Sequence, residues 1–188
     1  MKFEQILKSL KPQTPKIIAV AAAHDETVLK AITKASEQGF ANPILCGESD
    51  KIKDIADKLN LDISNFEIIN TKSNEEAASV AVKLVREKRA DILMKGLLQT
   101  AELLRAVLNK EEGIRGDGII SHVSVLHNPE LDKTLILTDA AFIPYPDFET
   151  KIQLIKNATN FAKSFGIETP KVAVLAAVET INPKMQAT

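Results

Sequence analysis

Four short apolar segments, each followed by a segment with helical periodicity, constrain the fold of this chain more than any other feature. They span residues 16–23, 43–46, 66–70 and 92–94. The first, KIIAVAAA, is apolar at every position after its lysine, which is typical of a strand buried on both faces of a parallel sheet. Strands that alternate with helices predict a three-layer α/β/α fold with a mostly parallel sheet and right-handed crossovers.

Helix ends are predicted from local chemistry. Asp25 is expected to cap the N-terminus of the first helix of this alternation, and Gly39 is expected to end it. Ser73 and Glu76 have the spacing of a capping box ahead of the third helix. The spacing of apolar residues also predicts a short helix within residues 1–10.

Composition argues against several classes of protein. The net charge is −1 with acidic and basic residues interleaved, so we expect no broad basic face for nucleic acid and no polybasic membrane anchor. No apolar run is long enough to cross a bilayer, and we expect no signal peptide. The single cysteine, Cys46, argues against an internal disulfide or a cysteine-cluster metal site and fits a reducing cytoplasm. It ends an apolar run and is expected to be a small buried hydrophobe.

Two common nucleotide-binding motifs are missing from the sequence. The first strand is followed by AAAHDE instead of G-x-G-x-x-G, and G-x-x-x-x-G-K-[ST] does not occur. His24 would follow the carboxyl end of that strand, where parallel sheets bind ligands, although a lone histidine is more often structural than catalytic.

The segment DILMKGLLQTAELLR, residues 91–105, predicts a strand, a loop and a helix with the chemistry of an anion site. Lys95 supplies a cation, Gly96 lets the backbone approach a ligand, and Thr100 caps the helix while offering a hydroxyl. A phosphate would suit such a loop. The alternative is a solvated strand end, a turn glycine, an ordinary N-cap, and a surface Arg105 paired with the glutamate three positions earlier.

A glycine-rich segment, EEGIRGDGIISH, occupies residues 111–122. Three of the seven glycines of the chain surround Arg115 and precede Ser121 and His122. Clustered glycines free the backbone to turn N–H groups toward an anion, and arginine can bind phosphate through two parallel hydrogen bonds. A flexible surface loop with a solvated arginine explains the same pattern at least as well.

Two apolar runs, residues 122–126 and 133–138, flank the turn-rich segment HNPELD and predict either a hairpin or the edge of a mixed sheet. The second run leads to Asp139. A carboxylate at a strand end can orient a hydrogen-bond donor or cap a helix, and capping is the commoner role.

The remaining residues indicate the start of a second lobe. The segment IPYP predicts a boundary between a first α/β/α lobe over residues 1–146 and a second lobe over residues 147–188. In the second lobe, a helix is expected from Asp147 to Gly166, and KVAVLAAV, residues 171–178, predicts a fully buried strand. One helix and one strand cannot cover each other's apolar surface, so this lobe is expected to be incomplete, covered by further residues or by a partner.

Four motifs in this order resemble one family. They are MKGLLQT with LLRAVL (94–108), SHVSVL (121–126), LILTDAAF (135–142) and PKVAVLAAVETINPKMQAT (170–188). Together they resemble the phosphate acyltransferases, a family of phosphate acetyl- and butyryltransferases, and the butyryltransferases most of all.

The resemblance implies two lobes of the isocitrate and isopropylmalate dehydrogenase type with an active site in the cleft between them. It implies the reversible reaction of acyl-CoA with phosphate to give acyl phosphate and CoA, with a short acyl group, for which butyryl is expected. Coenzyme A and phosphate are thus the implied small-molecule partners, with coenzyme A as a substrate and no bound cofactor or metal. A cytoplasmic homo-oligomer is also implied.

The resemblance further implies a set of positions that bind phosphate or substrate. These are Lys95, Gly96, Thr100, Arg105, Ser121, His122, Asp139, Glu179, Asn182, Pro183 and Lys184, to which the glycine-rich segment adds Arg115. The catalytic residues are unknown, because the family's serine-arginine motif and its following aspartate are expected beyond Thr188. No catalytic base is identified.

Two other functions compete with acyl transfer. A non-catalytic, truncated form of this fold could bind ligand or pair with subunits through an exposed second lobe. A metal-dependent dehydrogenase of the isopropylmalate type would require clustered carboxylates at strand ends, and Asp139 is the only one that the sequence places there.

Overall fold

A computed structural model of the chain describes residues 14–130, 133–176 and 178–185. One compact unit ends at Arg115 and a second unit begins at Gly116. This division falls before the predicted boundary at residues 143–146, and the assignment of residues 1–146 and 147–188 to two lobes of a family fold stays a prediction. The helix predicted within residues 1–10 lies outside the described residues.

The first unit is built from four strand–helix pairs. Its elements are β1 (Lys16–Ala21), α1 (Glu26–Glu37), β2 (Ala41–Gly47), α2 (Ser49–Leu59), β3 (Glu67–Asn70), α3 (Asn74–Arg86), β4 (Ile92–Lys95) and α4 (Thr100–Val107). The strands form one parallel sheet in the order β3-β2-β1-β4. The predicted parallel sheet is therefore confirmed, with strand ends that differ from the prediction by one or two residues.

Helices cover both faces of this sheet. Ala19 and Ala21 of β1 pack with α3 and α4, whereas Val20 between them packs with α1 and α2. The alternation follows from the strand geometry, in which successive side chains point to opposite faces. The chain moves from β1 to β3 in one direction and then returns to β4 on the other side, so crossovers of one hand require helices on opposite faces. The three-layer α/β/α architecture is confirmed.

The predicted caps at Asp25 and Ser73 are also confirmed. The Asp25 carboxylate accepts a hydrogen bond from the Val28 N–H at 2.9 Å. Ser73 Oγ accepts from the Glu76 N–H at 3.2 Å, and the Glu76 side chain in turn accepts from the Lys72 N–H at 2.7 Å. Each bond satisfies an N–H group that the first turn of a helix leaves without a partner.

The second unit contains a hairpin and a long helix. Strands β5 (Ser124–Asn128) and β6 (Lys133–Leu137) pair antiparallel, which selects the hairpin from the two predicted alternatives. Helix α5 (Phe148–Ser164) begins as predicted, with the Asp147 carboxylate accepting from the Thr150 N–H at 2.8 Å. Its end is followed by Gly166 at a φ of +78°, the left-handed conformation that suits glycine.

The strand predicted over residues 171–178 is wrong. Residues 171–176 are not in a strand, and Val174 and Leu175 are 69% and 81% exposed. A strand requires a neighbour to pair its backbone groups, and within the described residues no other strand lies beside this segment. The apolar composition alone therefore did not determine its structure.

No helix among the described residues has both the length and the apolar character needed to span a membrane.

Candidate functional site

The loop after β4 lies at the point where the strand order of the sheet reverses. β1 and β4 are neighbours, but α1 leaves β1 toward one face of the sheet and α4 leaves β4 toward the other. Their carboxyl ends therefore border the crevice in which open parallel sheets bind ligands. Lys95 was predicted to lie at a strand end, and the fold puts that strand end at this crevice.

Lys95 is exposed, yet its side chain bends back so that the ammonium group contacts the loop that follows it. Nζ donates hydrogen bonds to the carbonyl oxygens of Leu98 at 2.9 Å and Gly96 at 3.3 Å. An ammonium group carries three hydrogens, so one remains for an anion. Lys95 thus both stabilises the loop and retains a free donor and its charge.

The backbone at the end of β1 leaves no room for a side chain at residue 96, so this position must be glycine. Its N–H donates to Ala21 O, and the Leu97 N–H donates to Ala22 O, both at 2.8 Å. A Cβ atom at Gly96 would lie only 2.5 Å from Ala21 O and would overlap with Ala22 as well. The close approach that the sequence suggested for a ligand is therefore already made by the chain itself.

The predicted helix cap at Thr100 is wrong by one residue. Gln99 is the N-cap of α4, and Thr100 is the first residue inside the helix. The Glu102 carboxylate accepts from the Gln99 N–H at 3.0 Å, which explains the shift, because glutamate at the third helical position stabilises this cap. The same carboxylate places negative charge at the end of the helix where a phosphate was expected to bind.

Arg105 is exposed in the last turn of α4. The pKa of Glu75 is lowered first by a hydrogen bond with its own backbone N–H and one with Ser73, and further by the charge of Arg105. Arg105 thus faces the first turn of α3, whereas the alternative reading paired it with Glu102. Thr100 and Arg105 are about 140° apart around the helix axis, so they do not share one face.

The second unit brings Ser121, His122 and Asp139 into one cluster. The His122 N–H donates to Asp139 Oδ2, and Thr138 Oγ1 donates to His122 O, both at 2.8 Å. These two bonds fix the backbone of His122 on both sides. These bonds connect the segment before β5 to the segment after β6. Ser121 directly precedes His122, so its position is restricted as well.

Asp139 holds backbone groups on two segments. Besides His122, it accepts from the N–H groups of Ala141 at 2.9 Å and Phe142 at 2.8 Å. Burial raises the pKa of Asp139, but the hydrogen bonds from these N–H groups and from Ile143 outweigh it, and the net pKa is lowered. A carboxylate in this setting stays ionised at neutral pH and suits backbone anchoring better than proton transfer.

Two histidines have one ring nitrogen each that is buried. The Nδ1 atoms of His24 and His122 have no hydrogen-bond partner among the described residues. The His122 ring contacts Phe142 edge-on, with 6.0 Å between ring centroids. His24 follows β1 as predicted and packs so closely on Gly47 that a Cβ there would lie 3.0 Å from Nδ1.

Two residues of α5 that were not predicted as site residues contact the segment around Ser121. Asn157 Nδ2 donates to Ser121 Oγ at 3.0 Å and to Ile119 O at 3.3 Å. Gln153 Oε1 accepts from the Ile119 N–H, also at 3.3 Å. In the sequence they could be recognised only as two amide side chains four positions apart, on one face of a helix that was predicted from the spacing of its apolar residues.

The glycine-rich segment lies in the loop between α4 and β5, but its three glycines differ in their surroundings. The N–H of Gly113 donates to Asn109 O at 3.1 Å, and a Cβ there would overlap with neighbouring carbonyl groups. A Cβ atom at Gly116 or Gly118 would instead have no neighbour within 4 Å. Arg115, between Gly113 and Gly116, is exposed and is the last residue of the first unit.

The last predicted positions, Glu179, Asn182 and Lys184, are all exposed. Asn182 organises a turn, in which its side chain accepts from the Lys184 N–H at 3.0 Å and its carbonyl oxygen accepts from the Met185 N–H at 2.8 Å. Within the described residues, no three His, Cys, Asp or Glu side chains are grouped so that they could hold a metal ion.

Cys46 is buried in the sheet, as predicted. Burial, and to a lesser degree the charge of Glu67, raises the pKa of its thiol to about 12. Such a thiol is almost entirely protonated at neutral pH, so it is a core side chain and not a nucleophile.

Known proteins resemble this chain along its whole length. The phosphate butyryltransferase of Clostridium acetobutylicum is 46% identical over 186 residues, which are 99% of this chain and 62% of that protein. The phosphate acetyltransferase of Rhizobium meliloti is 37% identical over 187 residues, 100% of this chain and 59% of that protein. The crystal structure of a branched-chain phosphotransacylase from Enterococcus faecalis V583 superposes with a TM-score of 0.75 at 30% identity, covering 90% of this chain and 59% of that one.

The chain thus spans about three fifths of the length of these relatives. The family model described as Phosphate acetyl/butaryl transferase matches residues 1–80 and 72–188. Since these two matches together extend over the chain from end to end, the chain belongs to the phosphate acetyl/butaryl transferase family.

Proposed function

We propose that this chain is part of a phosphate acyltransferase, which converts acyl-CoA and phosphate reversibly to acyl phosphate and CoA. The observation that carries the proposal is the 46% identity to a phosphate butyryltransferase over 99% of the chain. The acyl group that is transferred is proposed to be short, and butyryl in particular. Coenzyme A acts as a substrate, no further cofactor is bound, and the enzyme is a cytoplasmic homo-oligomer with two lobes of the isocitrate and isopropylmalate dehydrogenase type.

The reaction moves an acyl group between two anionic partners. A phosphate oxygen attacks the thioester carbonyl carbon, the C–S bond breaks, and the CoA sulfur leaves as a thiolate that takes up a proton. In reverse, the thiolate attacks the carbonyl of the acyl phosphate and phosphate leaves. A free thiol has a pKa of about 8.5, so fixed positive charge and hydrogen-bond donors near the reacting groups lower the barrier in both directions.

The first unit would supply such charge from Lys95 and Arg105, together with the Thr100 hydroxyl. Support comes from the position of the Lys95 loop at the crevice beside β1 and from the one ammonium hydrogen that its loop contacts leave free. Gly96 acts indirectly in this proposal, because it lets the loop lie against β1.

The second unit would supply a hydroxyl donor from Ser121, next to the backbone that Asp139 anchors through His122. The other proposed contacts to phosphate or substrate come from exposed side chains. They are Arg115, Glu179, Asn182 and Lys184.

The proposal is tested by measuring thiol release from butyryl-CoA with and without inorganic phosphate, using the 188-residue chain. Release that depends on phosphate would support the proposed reaction. Arg105→Ala is then expected to lower turnover roughly 100-fold, since one preorganised donor to developing charge contributes about 2.7–4 kcal/mol.

Arg89→Ala is the matched control for Arg105→Ala. Arg89 precedes β4 and therefore lies near the amino end of that strand, away from its carboxyl end. Its ion pair with Glu67 is exposed, so loss of the pair is expected to change the free energy of unfolding by about 1 kcal/mol at most. Thiol release that ignores phosphate would overturn the proposed reaction, and equal effects of the two substitutions would remove Arg105 from the site.

A folded chain without any release would favour the second candidate, a non-catalytic form that binds ligand or pairs with subunits. The exposed apolar side chains between residues 172 and 181 favour that candidate, because Ile181 is 86% exposed and Leu175 is 81% exposed.

A further inference from the structure

The segment that precedes β5 is held by two amide side chains of α5. Gln153 Oε1 accepts from the Ile119 N–H and Asn157 Nδ2 donates to Ile119 O, each at 3.3 Å. These two side chains lie on one face of the helix because they are four positions apart. Both hydrogen-bonding groups of the Ile119 backbone are therefore bound to α5.

The contact with Ile119 also determines which way the Asn157 amide points. A carbonyl oxygen can only accept hydrogen bonds, so the atom of Asn157 that faces Ile119 O must be the nitrogen. The same nitrogen lies 3.0 Å from Ser121 Oγ. An amide nitrogen carries two hydrogens and does not accept, and each hydrogen is thus assigned to one of these two oxygens.

Ser121 must consequently accept the hydrogen bond from Asn157. Its hydroxyl proton is not used in that contact, and no other residue in the described part of the chain accepts it. Ser121 is half-buried, and the next residue is fixed through both its N–H and its carbonyl group by Asp139 and Thr138. The hydroxyl is therefore held in place with its donor free.

We propose that Asn157 is a positioning residue that orients the Ser121 hydroxyl to donate a hydrogen bond to an oxygen of the substrate phosphate. This inference rests on the proposed acyltransferase function. Asn157 does not touch phosphate in this arrangement; it acts through Ser121 by occupying one of the hydroxyl's acceptor positions and leaving the proton for the anion.

The decisive substitution is Asn157→Asp, which keeps the size of the side chain and reverses the hydrogen bond. A carboxylate can only accept, so the Ser121 proton would turn toward residue 157 and away from phosphate. A hydrogen bond to a charged group contributes enough that the apparent KM for phosphate, or the phosphate Kd from calorimetry, is expected to rise about 10-fold to 100-fold. The KM for butyryl-CoA is expected to stay within about twofold.

Gln153→Leu is the matched control, one helical turn away. Gln153 contacts the backbone of the same residue, Ile119, but not Ser121, so this substitution is expected to leave phosphate binding within about twofold. Asn157→Leu should weaken phosphate binding as Ser121→Ala does. The double variant should bind phosphate no more weakly than Ser121→Ala alone, because both substitutions act on the same donor, the Ser121 hydroxyl. Circular dichroism checks that each variant is folded.

The outcomes separate this inference from the proposed function. If the unsubstituted chain responds to phosphate and Asn157→Asp keeps its phosphate KM, the positioning role is overturned while acyl transfer stands. Equal losses in Gln153→Leu and Asn157→Leu would also overturn it, because both residues would then merely hold the loop. A folded chain that neither binds phosphate nor releases thiol overturns both proposals.

Discussion

Two segments of similar composition, residues 16–23 and 171–178, have opposite environments in this molecule. Both begin with lysine and continue with small or branched apolar residues. In the first segment, residues 19–23 are completely buried. In the second, Val174 is 69% exposed and Leu175 is 81% exposed.

The difference lies in their neighbours. β1 pairs with β2 on one side and β4 on the other, and helices pack against both faces of these strands. Residues 171–176 have no such partner within the described parts of the chain. An apolar run is thus a strand only when other strands satisfy its backbone and helices cover its side chains, since an unpaired backbone group cannot be buried without cost.

The largest expected effect comes from shortening one leucine in each environment. Leu45→Ala, at a fully buried position of β2, is expected to lower the free energy of unfolding by about 2–5 kcal/mol, because it leaves a cavity in the core. Leu175→Ala is expected to change it by less than about 0.5 kcal/mol. Urea unfolding followed by far-ultraviolet circular dichroism measures both. A large loss for Leu175→Ala would mean that this side chain is covered in solution.

A second pair of substitutions compares two glycines. Gly96→Ala is expected to lower the free energy of unfolding by about 1–3 kcal/mol, because the added methyl group would overlap with the carbonyl groups of Ala21 and Ala22. Gly118→Ala places the same methyl group in open space and is expected to have little effect. Thermal unfolding of the two variants side by side makes the comparison, and a Gly96→Ala protein as stable as Gly118→Ala would show that the loop can move away from β1.

In the second unit an ionised carboxylate, Asp139, joins two segments, whereas the first unit is built around an apolar core. The pKa of Asp139 is lowered in the folded chain from its ordinary 3.8, so its contribution to stability is present above that value and is lost as the pH falls through the lower, folded pKa. Asp139→Ala is expected to cost about 1–2 kcal/mol at neutral pH, comparable to loss of a helix cap.

The difference in stability between Asp139→Ala and the unsubstituted chain should disappear in acid. Urea unfolding at neutral pH and at a series of values below about pH 4 measures this difference. Asp117→Ala, at an exposed position of the same unit, is the control. A difference that stays constant with pH would show that the Asp139 carboxylate is not ionised when it makes these bonds.

Most of the first unit was predictable from sequence because its signals are local. Apolar runs, helical periodicity and the caps at Asp25 and Ser73 each depend on a few neighbouring residues, and the fold confirms them. Thr100 was assigned as a cap one position late because glutamine is a less usual N-cap than threonine, although Glu102 stabilises it.

The features that escaped prediction depend on contacts between distant residues. Gly96 was interpreted as a ligand-approach glycine, but the atoms that it approaches belong to Ala21 and Ala22, at the end of β1 and just after it. Ser121 was selected from its motif, whereas Asn157, 36 positions away, could be recognised only after α5 was placed beside it. The sequence therefore suggested candidate residues for the site but not the side chains of distant residues that contact them.

The smallest expected difference concerns two helix ends that should respond alike despite their different surroundings. Gly39 and Gly166 follow α1 and α5 with φ angles of +76° and +78°, and a Cβ on either would contact nothing within 4 Å. Alanine is therefore expected to cost about 1 kcal/mol at both positions through backbone strain alone. Thermal unfolding should give values for Gly39→Ala and Gly166→Ala that agree within about 0.5 kcal/mol. Unequal losses would mean that packing in each unit, and not only the local backbone, determines how its helix ends.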